Sequence, residues 1–292
     1  MHHSRRPKIR AAKLYKDRNM LQLTVEIAQN LKDFTDAHYA QASFCFRTLL
    51  KNKEIKVNGK KVSENVWLNV GDNVQYYLTQ RQQEKPAFYI VYEDENVLIA
   101  DKESGVNSEA VFAELCRRYG ERCRFIHRLD RNTKGLMVFA WNAEIENALL
   151  EAFKTRKIEK IYHALCVGAF AQKNAVLRAY LKKNEEKSLV KVSDKKTSGA
   201  EEIITEYNVL EEHDGLTKIE VRLHTGKTHQ IRAHLAHIGN PVLGDMKYGD
   251  EQANKSKNAT RQCLIAKRLC FDLRGAWSYL NEKTFVSRFE IE

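Results

Sequence analysis

Apolar positions recur along this chain in two rhythms, and the places where one gives way to the other mark its elements. From 39 to 51 (YAQASFCFRTLLK) they fall at helical spacing. The following IKVNGKKV predicts a β-hairpin, because Asn58-Gly59 supplies the two positive-φ positions of a tight two-residue turn. VGDNVQYYL, 70 to 78, reads as a strand reached through Gly71-Asp72. FYIVY and VLIAD flank the turn-forming EDEN and predict a hairpin of core strands. VFAELCRRYG predicts an amphipathic helix ending at Gly120, and a second helix is predicted over 142–155, where Ile145, Leu149, Leu150 and Phe153 recur at helical spacing. Between them HRLDRNTKG, polar and turn-prone, runs into the unbroken apolar LMVFA of 136–140, the pattern of a loop feeding a buried strand. Strands over 162–167, 205–210 and 218–223 and a helix starting near Thr228 complete an α+β order rather than a regular alternation.

The chain divides near Pro86. A basic arm over 1–19, a compact stretch over 20–79, a short polar linker over 80–87 (containing QRQQEK) and a larger domain over 88–292 are expected. At 292 residues and 43% hydrophobic content the chain can bury one sizeable core plus a smaller module. The net charge of +11 implies a surface that attracts polyanions, with nucleic acid the natural partner. Seven Lys or Arg against one acid in the first eighteen residues extend that bias. No apolar run approaches the ~18 residues of a membrane span, and the N-terminus lacks a signal-peptide core, so a cytoplasmic protein without membrane attachment is expected. Six cysteines without a CxxC pair suit reduced thiols.

The candidate chemistry centres on Asp130 in HRLDRNTKGL. An Asp beside an Arg is commonly a surface ion pair of little consequence. Three segments in order change that reading. HRLDRNTKGL resembles the HRLDxxTSGL signature of the RluA-type pseudouridine synthases, KIYHALCVG (160–168) is similar to their KxYxAxxxG, and LHTGKTHQIRAHLAHIGNPVLGDMKYG (223–249) resembles their LxTGRTHQIRxHxxxxGxPxxGDxxYG. The likeness covers roughly 88 to 273. Residues 20 to 79 resemble the alpha-L (S4-like) RNA-binding module in VNGKKV and GDNVQYYL, although LQLTVEIAQNL stands where that module is usually rich in arginine and leucine.

The resemblance implies an α+β pseudouridine-synthase fold, with a large mixed, mostly antiparallel sheet and a small N-terminal alpha-L module. It implies a cofactor-free isomerase that converts uridine to pseudouridine in structured RNA. Asp130 is then the essential carboxylate, Tyr162 lies against the flipped uracil, and Arg232 of THQIR keeps Asp130 ionised. Arg128 helps to extrude the target nucleotide, and Lys227 meets RNA where the family has arginine. His127, Thr133, Gly135, His229 and Gln230 support the site, and Asp245 is a structural loop carboxylate. In the N-terminal module, Arg47, Lys51, Lys53, Lys56, Lys60 and Lys61 would face RNA phosphates. Lys134 replaces the signature's serine, Lys102-Glu103-Ser104-Gly105 lacks the proline of the family's KPxG and predicts a looser turn, and Ile265 replaces a histidine.

The histidines at 224, 229, 234 and 237 are spaced five, five and three apart, unlike a recognised ligand pattern, and no metal is expected. Large-subunit ribosomal RNA is the expected substrate, with transfer RNA the alternative, and the chain is expected to act as a monomer. An idle RNA-binding or ribosome-assembly factor is the rival reading. A methyltransferase is disfavoured because no glycine-rich loop follows a strand.

Overall fold

The computed structural model describes residues 18–84, 87–184 and 189–291. The expected basic arm lies outside the described residues except for 18 and 19. Two compact units result, one holding the N-terminal stretch through Phe88 together with Gly105–Gly120, the other Tyr89–Ser104 and Glu121 onward.

In the first unit β1 (Arg18–Thr24), α1 (Leu31–His38), α2 (Ala40–Lys51), β2 (Ile55–Val57), β3 (Lys60–Val62), β4 (Asn73–Thr79) and α3 (Ser108–Tyr119) follow in chain order. The sheet is antiparallel in the order β1-β4-β2-β3. Alternation along β4 buries Val74, Tyr76 and Leu78 against Phe34, Phe46 and Leu49. Asn58 and Gly59 both take positive φ, as the hairpin requires.

Two segments differ from the expected division. Segment 105–120 belongs to this unit rather than to the larger domain, because Asn107 donates to the buried Asp36 carboxylate of α1 and α3 packs on α1 and α2. The expected linker is partly helical: Gln80–Glu84 form a short helix whose start is closed by the Gln82 side chain accepting from Thr79 N–H at 2.8 Å, while 85 and 86 lie outside the described residues.

The second unit is built on one eleven-stranded sheet. Its strands are β5 (Phe88–Glu93), β6 (Val97–Lys102), β7 (Lys134–Ala140), β8 (Ile158–Val167), β9 (Asn174–Asn184), β10 (Leu189–Ser193), β11 (Glu201–His213), β12 (Leu216–Leu223), β13 (Leu264–Phe271) and β14 (Thr284–Val286), with Arg124–Phe125 beside β7. The order is β10-β9-β11-β12-β8-β13-β7-β6-β5, with β14 on β13. Among the pairings with a recorded register, β7 and β13 alone run parallel, so the sheet is mixed and mostly antiparallel. β7 is buried on both faces, which explains its unbroken apolar run. Leu136, Val138 and Ala140 pack under Ile145, Leu149 and Ala152 of α4 (Ala143–Lys154), whose N-terminus is capped by Asn142 accepting from Glu144 and Ile145 N–H. The remaining helices are α5 (Gln230–His237) and α6 (Glu251–Ser256). No helix among the described residues is long and apolar enough to cross a membrane, and the six cysteines form no disulfide with one another.

The C-terminal segment completes the sheet where sequence similarity fades. Ser287 Oγ donates to Asp101 at 2.9 Å, and Lys267 Nζ donates to Ser287 and Phe289 carbonyls. Lys134 stands 4.9 Å from the Phe289 ring centre and Ile265 is buried in β13.

Gly135 is where the parallel pair closes: it pairs with Ala266 at φ +113°, and a Cβ there would stand 2.3 Å from the Ala266 carbonyl oxygen. Gly135→Ala is therefore expected to destabilise the protein by roughly 3 kcal/mol or more, or to prevent folding, read by urea denaturation.

Candidate active site

The register of the sheet brings two distant segments together. Gly135, at the end of the Asp130 loop, and Tyr162 are both paired with Ala266, on opposite sides of β13. A register shift between Ile161 and Tyr162 re-aims the chain there. β12, on the far side of β8, runs out at Leu223 into the loop 224–229 that starts α5.

The Asp130 loop is pinned along its length. Thr133 N–H donates to the Asp130 carbonyl at 3.0 Å, Lys102 Nζ to Arg131 O at 3.1 Å and Ser104 Oγ to Asn132 O at 3.1 Å. Thr133 Oγ1 accepts from Gln262 Nε2 at 2.9 Å. The turn expected to be looser for want of a proline instead supplies two of these ties, from Lys102 and Ser104. His127 Nε2 accepts from Val138 N–H at 3.1 Å, which fastens the start of the loop to β7. Burial, with the nearby Lys160 charge, pushes the His127 imidazole down to about 3, so the ring is neutral.

Arg232, in the first turn of α5, holds two carboxylates. Its Nε and Nη2 donate to Asp245 Oδ2 and Oδ1 at 2.7 and 2.9 Å, and Nη1 donates to Asp130 Oδ2 at 2.8 Å. The Asp245 side chain is fully buried and that of Arg232 is 7% exposed, whereas Asp130 keeps 22%. Asp245 Oδ1 also accepts from Lys247 and Tyr248 N–H. Burial works against the charged guanidinium, but Asp245 and Asp130 outweigh it and hold the Arg232 pKa above that of a free arginine. Burial likewise disfavours the Asp245 carboxylate, and Arg232 with the two N–H donors overrides it, holding its pKa low. The fork thus spends two donors on a deep anchor and presents the third to the cavity.

The other oxygen of Asp130, Oδ1, has His229 Nε2 at 3.9 Å. Val190 N–H donates to Tyr248 Oη at 2.9 Å, so the Tyr248 hydroxyl proton is free to meet His229 Nδ1 at 2.9 Å. Burial lowers the His229 pKa, and the neutral ring then carries its proton on Nε2, facing Asp130. His229 takes φ +55°, which lets the loop turn into α5. Gln230 knits that loop to β11: Nε2 donates to Ile204 O and Thr205 Oγ1, and Oε1 accepts from Thr225 Oγ1 and Lys227 N–H.

Asp130, Tyr162 and Arg232 line one cavity of about 430 Å³. Arg128, exposed, and Lys227, paired with Glu201, are on its wall, as are His127, Thr133, His229 and Gln230. Gly135 acts from beneath, through the strand. Tyr162 is 8% exposed; burial and then the Asp130 charge raise its phenol pKa, and its hydroxyl has no hydrogen-bond partner among the described residues. The N-terminal cations belong to the other unit. There Arg47, Lys51, Lys53, Lys60 and Lys61 are exposed and Lys56 Nζ is 5.0 Å from the Tyr77 ring centre. The four histidines part company: His224 meets Glu206, His229 Tyr248, His234 Thr205 and His237 Asp194. No group of three or more His, Cys, Asp or Glu among the described residues is placed to hold a metal.

Sequence reasoning missed the role of Asp245 as the guanidinium's main partner, the Tyr248–His229 contact and Lys160. The last carried a signal, since it stands two residues before Tyr162 on the same strand.

The family model described as RNA pseudouridylate synthase matches residues 83–237. The chain is 31% identical over 221 residues to ribosomal large subunit pseudouridine synthase D of Xylella fastidiosa, covering 68% of this chain and 65% of that protein, a little under two thirds of its length. It is 30% identical over 228 residues to ribosomal large subunit pseudouridine synthase C of Vibrio cholerae, covering 70% and 71%. The solved structure of human RNA pseudouridylate synthase domain containing 1 superposes with a TM-score of 0.57 at 26% identity, over 64% of this chain and 79% of that one. The chain belongs to the RNA pseudouridylate synthase family, and within it to the RluA type.

Removing Asp245 leaves a buried guanidinium short of its main partner. Asp245→Ala is expected to cost roughly 3 kcal/mol in urea denaturation at neutral pH. Because the folded pKa of Asp245 lies below the ordinary 3.8, its contribution is present above that value and lost as pH falls through the folded one. The histidines act earlier. His127 and His234 are held neutral, at about 3 and about 4 against an ordinary 6.5, so the unfolded chain takes up protons first and stability falls as pH drops from 6.5 toward 4. His127→Gln, which keeps an acceptor for Val138 N–H, is expected to flatten the melting temperature's dependence on pH over that window.

Proposed function

We propose that this protein converts uridine to pseudouridine in structured RNA, with Asp130 as the reacting carboxylate and large-subunit ribosomal RNA as the substrate. The observation that carries the reading is the Asp130–Arg232 pair on the cavity wall, anchored from behind by Asp245: an anion kept in a largely sheltered place, with one oxygen bound and the other open. The N1–C1′ bond of the uridine breaks and a C5–C1′ bond forms; the hydrogen on C5 is lost and N1 gains one, so the reaction balances without oxidant, reductant or nucleotide. Asp130 Oδ1 acts on the sugar or the base as nucleophile or base. Tyr162 lies against the uracil, its protonated hydroxyl available as a donor. Arg128, on the rim, fills the space left by the extruded nucleotide.

His127, Thr133, Gly135, His229 and Gln230 serve by fixing the Asp130 loop and the start of α5. The exposed cations at 47, 51, 53, 60 and 61, with Lys56, give the N-terminal unit the character of an RNA-docking alpha-L module, its contacts falling on phosphates. The ribosomal substrate is supported by the two bacterial relatives, both of which are named for the ribosomal large subunit.

Mapping carbodiimide-reactive uridines in RNA from cells lacking the protein tests the reading. Wild-type protein is expected to restore at least one large-subunit pseudouridine. Asp130→Ala is expected to lower the rate by about 10⁴-fold or more, to background. Restoration by the Ala variant, or restoration confined to transfer RNA, would contradict the catalytic or the substrate assignment respectively. Tyr162→Phe keeps the ring and loses the donor, and a loss of roughly 10²-fold in single-turnover rate is expected, with RNA affinity little changed.

A further inference from the structure

A second cavity, of about 400 Å³, adjoins the first. Phe153, Lys154, Lys160, Leu223, Gly226 and Lys227 line both, so the two share a wall. The second contains none of Asp130, Tyr162 or Arg232. Its walls are strongly basic, yet most of that charge is already matched: Arg222 pairs with Glu159 at 2.6 Å, Lys154 with Glu151 at 3.6 Å, Lys227 with Glu201, and His224 with Glu206 at 2.7 Å.

Two cations are left over. Lys160, at the junction, makes no ion pair or hydrogen bond among the described residues; its Nζ is 5.4 Å from the Phe153 ring centre and 3.2 Å from where a Cβ on Gly226 would stand. Burial lowers its pKa, as it must for an ammonium taken from water without an acceptor. Arg156, exposed on the wall, has no ion pair among the described residues either. Its backbone allows a clean substitution. α4 ends with Lys157 N–H donating to Ala152 O at 2.8 Å, and Arg156 takes the left-handed conformation, φ +61°, where such an ending favours glycine. Arginine is less favourable than glycine at such an ending, so Arg156→Gly removes the side chain without a backbone cost.

We infer that the second cavity is a subsite for the nucleotide adjacent to the isomerised uridine, with Lys160 and Arg156 on its phosphodiester and the Phe153 ring beside its base. The inference rests on the activity proposed above. It gives the first cavity one extruded uridine and the second its covalent neighbour, with the bridging phosphate at the Lys160 junction.

The test uses total RNA from cells lacking the protein, incubated with full-length wild type, Arg156→Gly, Lys160→Met or Asp130→Ala. Conversion is followed by carbodiimide mapping against protein and salt concentration, and melting temperatures are measured in parallel. Arg156→Gly and Lys160→Met are each expected to need about tenfold more protein for half-conversion, and to flatten the salt dependence by about one phosphate contact. Arg156→Gly is also expected to melt at or above the wild-type temperature, because glycine relieves the positive φ. If the wild type converts and both variants match its concentration and salt dependence, the subsite is overturned while the activity stands. It is overturned too if Arg156→Gly fails by melting lower, or if Lys160→Met slows the saturated rate without shifting half-conversion. Should the wild type convert no uridine, the activity itself is refuted and the subsite falls with it.

Discussion

One guanidinium organises this site. Arg232 reaches Asp245 through Nε and Nη2 and Asp130 through Nη1, so a planar group with fixed donor directions sets the angle between a buried anchor and a partly exposed carboxylate. A lysine could neutralise either carboxylate, yet it could not hold both in one geometry. Burying an ion pair is costly unless its remaining donors and acceptors are satisfied, and Asp245 meets that condition with N–H groups from Lys247 and Tyr248. Gly249 makes the tight turn possible, since a Cβ there would stand 2.1 Å from the Asp245 carbonyl.

The scaffold delivers these groups because the sheet is mixed. β7 and β13 run parallel, and Gly135 allows them to close on Ala266, the residue that also registers Tyr162. The carboxylate loop and the tyrosine are thereby placed by backbone hydrogen bonds rather than by flexible chain. Arg232 and His229 arrive from the other direction, through a loop locked by the four hydrogen bonds of Gln230. The two carboxylates consequently have different tasks, one fully buried and committed, the other with an oxygen left open beside His229.

Much of this was legible in the chain. The run at 136–140 gave a strand buried on both faces, Asn58-Gly59 gave its turn, and the helix read from Ile145, Leu149, Leu150 and Phe153 forms as α4, which buries Ile145 and Leu149 while Leu150 is exposed and Phe153 partly buried. β1 escaped notice because LQLTVEIAQNL mixes strand and helix rhythms over too few residues for either to dominate, and α1, LKDFTDAH, because its eight residues hold too few apolar positions to set a period. β9 did so because much of its length is exposed and polar, and β10 because five residues are too short a run to show a rhythm. The unexpected placement of 105–120 has a related cause, since a helix's apolar face shows that it packs and not against what. In the site, the ordered motifs singled out Asp130, Tyr162 and Arg232, and the structure places all three around one cavity. Asp245 and Lys160 were harder to see. Whether a carboxylate in a turn or a lysine on a strand is buried is decided by tertiary packing, which spacing does not record.

The most direct measurement is a double-mutant cycle between positions 232 and 245, read as the single-turnover rate of uridine conversion in variants that still melt cooperatively. If Asp245 acts on Asp130 only by aiming Arg232, Asp245→Asn slows the reaction in the wild-type background and adds little once Arg232→Lys is present, a non-additivity of at least about tenfold. Effects that simply multiply would show the two residues working independently and would contradict the account.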